Sequence, residues 1–275
     1  MTGLALGTTT GLVALAAAAL LAGAVNAIAG GGTVLTFPVL DAILPGPGHG
    51  VAANVTSTIG LWPGAAVAAW SWRGERTGLP AWTRLLLMPS VVGAAIGALL
   101  LVVAPDRFDD LVPWLILLAA LLFAAQPRVA GFAAACDAGG PAAPGRLVAA
   151  CGLQLLVGIY GGYFGAGIGI LMLAVLGLLG LGDIRRINAV KNVLGMWVNG
   201  VAAALFAAGS WAGFYEVSWP HAALLAVCSA VGSLGASHVA RRLPPAAVRR
   251  LVAIIGFVLA GYYFWRRFAI AAPGG

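Results

Sequence analysis

A lysine and three asparagines lie on one face of an apolar segment. Lys191 is the only lysine in the chain, and a charge at the centre of a transmembrane helix costs about 2.5 to 3.5 kcal/mol on insertion scales. Helical spacing places this lysine on a single polar stripe with Asn188, Asn192, Gly195 and Asn199. Because the nearest carboxylates, Asp41 and Asp183, stand at segment ends, we expect a buried Lys191 to attract an anion from solution.

Lys191 also admits an interpretation without a ligand. It closely follows Arg185 and Arg186, and a long basic side chain near a helix end can extend to the lipid headgroups. We favour anion binding, because the asparagines continue the same face into the segment and intramembrane polar residues are functional by default.

Two glycine-rich turns offer backbone amides as further anion ligands. They lie in NAIAGGGTVLTFPVL (residues 26–40) and GYFGAGIGILMLAVL (residues 162–176). A helix that begins at such a turn directs free amides at an anion, and each helix end stabilises the bound anion by about 0.3 to 2 kcal/mol. Close helix packing explains any single glycine equally well. The predicted substrate-binding residues are Lys191, Asn192, Asn188, Gly31, Gly32, Thr33, Asn26, Ser57, Thr58, Tyr163, Gly167 and Gly169.

The composition of the chain requires a lipid environment. Hydrophobic residues make up 61% of the 275 residues and charged residues 8%, whereas soluble domains carry about 25% charged residues. This low charged fraction excludes a cytosolic enzyme and a disordered chain. A nucleic-acid-binding protein is also excluded, since the basic residues are scattered between apolar runs and form no patch. No cofactor or metal is expected, because no CxxC or zinc-ligand pattern occurs.

Charges and Pro/Gly clusters divide the chain into ten apolar segments. A spanning helix needs about 20 residues, so the segments at 33–44 and 168–182 are too short to cross alone: either the bilayer thins around them or they are half-helices. The segments lie at residues 12–29, 33–44, 52–72, 85–104, 111–125, 147–164, 168–182, 187–208, 221–240 and 251–265.

The segments form an internal repeat. Residues 26–40 align with 162–176 at an offset of 136, and residues 53–69 align with 187–203 at an offset of 134. We therefore predict an all-α polytopic membrane protein with two repeats of five segments, each of which opens with a Gly-broken helical hairpin. The predicted units are the first repeat at 1–127, a cytoplasmic linker at 128–145 and the second repeat at 146–275.

Loop charges indicate that the two repeats are inverted. Arginines crowd the loops at 73–84, 126–146, 183–186 and 241–250, which the positive-inside rule places in the cytoplasm. Both termini are then outside. With no Lys or Arg before Arg73, the first apolar run is expected to belong to the mature fold. Inverted repeats with Gly-broken segments are typical of secondary transporters.

These motifs resemble those of a known family. NAIAGGGTVLTFP, ANVTSTIGLWPG, GGYFGAGIGILM and INAVKNVLGMWVNGVAA are similar to the glycine-rich and Asn-containing motifs of the TauE/SafE family of sulfite and organosulfonate exporters. The resemblance covers roughly residues 12–264. It implies a transporter in a bacterial-type inner membrane, with sulfite or a short sulfonate as substrate. One departure is Ile168, which interrupts the second glycine run.

The sequence therefore predicts a secondary transporter that exports a small sulfur oxyanion by alternating access. The anion is expected near the midplane, between the two Gly-rich hairpin turns. A passive anion channel is the first alternative, since it would share this site but lack a second gate. A membrane enzyme or anchor subunit is disfavoured, because the segments contain no carboxylate pair, Ser/His pair or metal-ligand cluster. The expected partners are the sulfur anion and the lipid bilayer, and no nucleic acid.

Overall fold

Helices are the only regular secondary structure in the residues that the structure describes. The computed structural model describes residues 9–44, 49–76, 81–135, 144–179, 184–239 and 245–270. These ranges contain ten α-helices and no strand. The helices are α1 (Thr9–Ile28), α2 (Thr33–Ile43), α3 (His49–Ser71), α4 (Leu87–Val103), α5 (Phe108–Ala135), α6 (Pro144–Tyr163), α7 (Ile168–Leu178), α8 (Ile184–Trp211), α9 (Trp219–Val239) and α10 (Pro245–Ile270).

Seven of the described helices are long and apolar enough to cross a bilayer, namely α1, α4, α5, α6, α8, α9 and α10. Large apolar side chains on their outer faces are exposed, as at Val13, Met88 and Val258. Phenylalanines such as Phe123 and Phe206 fill the interior instead. An exposed apolar belt of this extent needs lipid to cover it. The predicted all-α integral membrane protein is thereby confirmed.

Helices α2 and α7 are short, as the segment lengths predict. Each has 11 residues, which is about 16 Å of helix and roughly half of a 30 Å hydrocarbon core. Each follows a long helix after a tight turn of glycines with positive φ. Gly30 and Gly31 form the turn before α2, and Gly165 and Gly167 form the turn before α7.

The predicted linker is partly helical. Helix α5 continues through Pro113 and Pro127 as far as Ala135, so residues 128–135 extend a membrane helix. Helix α6 begins at Pro144. Residues 136–143 of the linker and Asp183 lie outside the described residues.

Small residues let the long helices approach closely. Helix α1 packs on α9, and α4 packs on α6. A Cβ atom at Gly23 of α1 would overlap the Ser229 carbonyl of α9, and one at Gly97 of α4 would overlap the Ile159 carbonyl of α6. Such contacts between backbones are how membrane helices gain packing energy where lipid offers no hydrophobic driving force. They hold α1 and α6, and hence the two turns at their ends, in place.

Candidate functional site

The two glycine turns are in direct backbone contact. A Cβ atom at Gly31 would overlap the Gly167 nitrogen and lie 2.5 Å from its Cα atom, and one at Gly30 would lie 2.6 Å from the Gly169 Cα atom. Gly31 has a φ of 106° and Gly167 a φ of 76°, which residues with side chains rarely adopt. Both space and conformation therefore require glycine at Gly31, whereas conformation alone requires it at Gly167.

A small cavity adjoins the contact between the turns. Its volume is about 30 Å³, which is room for one or two water molecules. The first turn and the helices α1, α3, α7 and α8 line it. The lining residues are Asn26, Gly30, Gly31, Ala65, Ala68, Ile168, Gly169, Met172, Lys191, Asn192, Gly195, Met196 and Asn199. We call this space the central cavity.

Lys191 is buried in the central cavity and bonded to the end of α1. Only 2% of the residue is exposed, so it does not extend to the headgroups. Its Nζ atom donates to the Ile28 carbonyl at 2.9 Å, and Asn192 Nδ2 donates to the Ala27 carbonyl at 3.3 Å. Terminal carbonyls form the negative end of a helix dipole and attract a cation. Lys191 therefore has a neutral hydrogen-bond partner within the chain, and its interaction with an anion from solution stays a prediction.

The amides of the first turn are also occupied. Asn26 Oδ1 accepts from the Gly31 nitrogen at 2.8 Å and from the Gly32 nitrogen at 2.7 Å. The expectation of free amides at these two positions is therefore wrong, since a neutral side-chain oxygen stands where an anion oxygen would bind. The repeat alignment places Gly162, which has no side chain, opposite Asn26.

The remaining predicted residues do not line the central cavity. Ser57 Oγ and Thr36 Oγ1 share a hydrogen bond of 2.6 Å, and Asn54 Nδ2 donates to the Tyr163 carbonyl at 2.9 Å. Asn188 Oδ1 is buried without a hydrogen-bond partner. Of the twelve predicted residues, the lining includes Asn26, Gly31, Gly169, Lys191 and Asn192, and does not include Gly32, Thr33, Ser57, Thr58, Tyr163, Gly167 and Asn188.

Sequence reasoning missed part of the lining and one buried carboxylate. Met172 and Met196 line the central cavity, but nothing distinguishes them from other apolar residues of their segments. Asn199 belongs to the polar stripe and was not among the predicted binding residues, although it lines the cavity. Asp41, expected at a segment end, is buried in the last turn of α2. Its position at the segment end is as expected, but its burial was not foreseen from the sequence.

Comparisons with known proteins agree with the motifs. The family model described as "Sulfite exporter TauE/SafE" matches residues 15–263. A curated relative from Sinorhizobium sp., named "Probable membrane transporter protein ORF9", is 29% identical over 247 residues, which is 88% of this chain and 88% of the relative. No solved structure matches the chain.

Proposed function

Because the chain belongs to the sulfite exporter TauE/SafE family, we propose that it is a secondary transporter that exports a small sulfur oxyanion by alternating access. Sulfite or a short organosulfonate is the substrate, and the bacterial inner membrane is the location. The observation that carries this proposal is the buried Lys191 in a cavity between two broken helices. Helix ends that meet at bilayer depth are where transporters bind ions.

The helix contacts support two inverted repeats. Under the alignment, α1 to α5 correspond to α6 to α10. When each helix is replaced by its repeat counterpart, the contact of α1 with α9 becomes the contact of α6 with α4. The contacts of α3 with α8 and of α5 with α10 are unchanged by this replacement. The same exchange relates two hydrogen bonds between the halves. Asn54 of α3 bonds to the end of α6, and Asn192 of α8 bonds to the end of α1.

Lys191 is proposed to exchange one partner for another during transport. In the structure its ammonium group donates to the Ile28 carbonyl. An oxyanion carries full negative charge and forms stronger charge-assisted bonds to an ammonium than a neutral carbonyl does. Binding therefore moves Lys191 off the end of α1, which links substrate binding to the position of the first hairpin.

Flux through proteoliposomes tests the proposed function. The purified protein should take up sulfite with saturation, and sulfite inside the vesicles should accelerate uptake by counterflow. Sulfate, thiosulfate and C2 sulfonates, offered as competitors, would define the substrate class. Flux that rises linearly without counterflow would indicate a channel, and no flux of any of these anions above protein-free vesicles would contradict anion transport.

The termini are proposed to lie outside and the 128–145 linker inside. Cys136 lies in the linker. In a variant in which the other two cysteines, Cys151 and Cys228, are replaced, labelling of Cys136 reports on which side of the membrane the linker lies. An impermeant thiol reagent should then label inside-out membrane vesicles and leave intact cells unlabelled. Labelling of intact cells would contradict the orientation.

Asn26→Asp is expected to lower anion affinity at least tenfold without unfolding the protein. An aspartate accepts the same two amide hydrogen bonds, which become charge-assisted, but it also faces the bound anion with a like charge. At 4 Å such a repulsion is about 4 kcal/mol at an effective dielectric constant near 20. Calorimetric sulfite binding and thermal unfolding measure the two effects.

Asn26→Ala is the matched variant, because it removes the acceptor and adds no charge. It should bind sulfite better than Asn26→Asp does and unfold at a lower temperature. Native affinity in Asn26→Asp would place the anion away from the first turn.

A further inference from the structure

A groove between α5 and α10 lies on the outside of the helix bundle, away from the central cavity. Its volume is about 500 Å³, which is within the range of about 300 to 1,000 Å³ for pockets that hold small organic molecules. Apolar residues and a single arginine line it, namely Phe123, Ala124 and Pro127 of α5 and Arg250, Ala253, Ile254 and Phe257 of α10. We call this space the α5–α10 groove.

The two helices that form the groove run antiparallel. Arg267 near the end of α10 lies beside Asp110 at the start of α5. Further along, a Cβ atom at Gly256 would lie 2.9 Å from the Ala120 Cβ atom, so the helices touch there. The groove begins beyond this contact and extends to Arg250, at the opposite end of the bundle from Arg267.

The groove opens toward the lipid. Phe123 and Ala253 are 1% and 7% exposed and form its floor. Ile254 and Phe257 are 60% and 42% exposed and stand at its edge. Exposed apolar side chains on a membrane helix are covered by hydrocarbon, so an acyl chain has direct access to the floor of the groove.

Helix length places Arg250 at the surface of the hydrocarbon layer. The apolar span of α10 runs from Arg250 to Phe268 over 19 residues, which is about 28 Å of helix and close to a hydrocarbon thickness of about 30 Å. From Arg250 to Phe257 the groove extends about 10 Å along the helix. It therefore begins at headgroup depth and stays within one leaflet, as an acyl chain does.

Arg250 supplies a positive charge at the mouth of the groove. Its side chain is exposed, and it forms no salt bridge with another of the residues that the structure describes. A guanidinium group binds the oxygens of a phosphate through paired hydrogen bonds. Basic pockets between membrane helices on the cytoplasmic side bind anionic headgroups, and the proposed orientation of the chain places this end in the cytoplasm.

Charge disfavours a second copy of this chain as the occupant. Glu75, which follows α3, is the only carboxylate at this end of the bundle within the described ranges. A two-fold dimer brings the same surface of both subunits together. Arg250 of each copy would then face the basic end of the other, whereas a lipid phosphate brings the opposite charge.

We propose that the α5–α10 groove binds an anionic phospholipid. One acyl chain lies on Phe123 and Ala253, and the phosphate group is held by Arg250. Both requirements come from the same lining, since the apolar floor needs a chain and the guanidinium group needs an anion. This site is independent of the anion that the protein transports.

A second apolar groove provides an internal control. It lies between α1, α2 and α10, has a volume of about 480 Å³ and includes Ala14, Pro38 and Leu259 in its lining. Among the described residues, those that line it are all uncharged. An acyl chain can enter this groove, but its lining offers no charge that selects a headgroup.

Native mass spectrometry of the purified, delipidated protein in a nonionic detergent tests the lipid site. The first molecule of dioleoyl phosphatidylglycerol should bind at least about fivefold more tightly than dioleoyl phosphatidylcholine, as expected for one basic residue at an anionic headgroup. Glycerol phosphate, which carries the charge but no acyl chain, should not displace the bound lipid.

Substitutions separate the charge from the groove. Arg250→Gln should remove the preference for phosphatidylglycerol, and Arg250→Lys should keep most of it. Arg146→Gln is the matched control, because Arg146 is exposed at the same end of the bundle but does not line the groove. Ala124→Phe fills the groove and should weaken the binding of both lipids, whereas Ala14→Phe, the same change in the second groove, should leave the first phosphatidylglycerol in place.

Four results would overturn the proposal. They are equal affinity for the two lipids, equal effects of Arg250→Gln and Arg146→Gln, native lipid binding in Ala124→Phe, or displacement of the lipid by glycerol phosphate, which would indicate a site for free anions. A dimer that Ala124→Phe converts to a monomer would assign the groove to a second copy of the chain instead.

Discussion

Lys191→Ala should weaken sulfite binding at least tenfold, and by more than the alanine replacement of Asn192 or Asn199. Lys191 is the only lysine and, among the residues that the structure describes, the only basic side chain lining the central cavity. The amides and asparagines there contribute only partial charges. Removing a hydrogen bond to a charged group typically loses about 1.5 to 3 kcal/mol. Calorimetric titration of the purified protein with sulfite measures the loss directly.

Two further substitutions of Lys191 separate charge from shape. Lys191→Glu should bind more weakly than Lys191→Ala, because it places a like charge beside the anion. Lys191→Arg should retain part of the affinity with altered selectivity, since the planar guanidinium fork presents its donors differently from an ammonium group.

The Lys191 variants need a folding control, because the same side chain caps α1. Lys191→Ala leaves the Ile28 carbonyl without its ammonium partner, which can lower stability independently of binding. Asn192→Ala removes the adjacent cap on Ala27 but leaves the charge in place. Unfolding temperatures of both variants show how much of any loss comes from α1. A well-folded Lys191→Ala protein with native affinity would leave the glycine turns as the whole binding site.

Gly31→Ala should destabilise the protein severely and abolish transport. The alanine Cβ would overlap the Gly167 nitrogen, and the φ of 106° is strained for any residue with a side chain. Such backbone strain costs about 1 to 3 kcal/mol, and overpacking of a tight contact typically adds about 1 to 3 kcal/mol. The unfolding temperature in detergent and the fraction of monodisperse protein on gel filtration are the measurements.

Gly195→Ala is the matched control for Gly31→Ala. Gly195 lines the same cavity, but a Cβ atom there would meet nothing within 4 Å. Because it also lies within a helix, alanine should stabilise it locally by about 0.5 to 1 kcal/mol. If the two variants unfold at the same temperature, the contact between the turns is not what holds the hairpins together.

The sequence alone determined the elements and the chemistry that they carry. Continuous apolar runs define the membrane helices, since each must satisfy its own backbone hydrogen bonds in lipid. The lengths of the short runs gave α2 and α7, and the glycines between runs located both turns. The polar stripe around Lys191 followed from helical spacing. All of these properties are local, so they can be recognised without knowledge of the packing.

Only the tertiary structure decided which groups are paired. The partner of Lys191 is a backbone carbonyl at Ile28, and every residue of the chain has such a carbonyl. Asn26 was predicted to bind substrate but bonds to its own turn, and Asp41 at the end of α2 is buried by side chains from α3 and α10. Hydropathy and spacing record the polarity of a side chain but not the distant group that meets it. Those partners are fixed only when the helices pack.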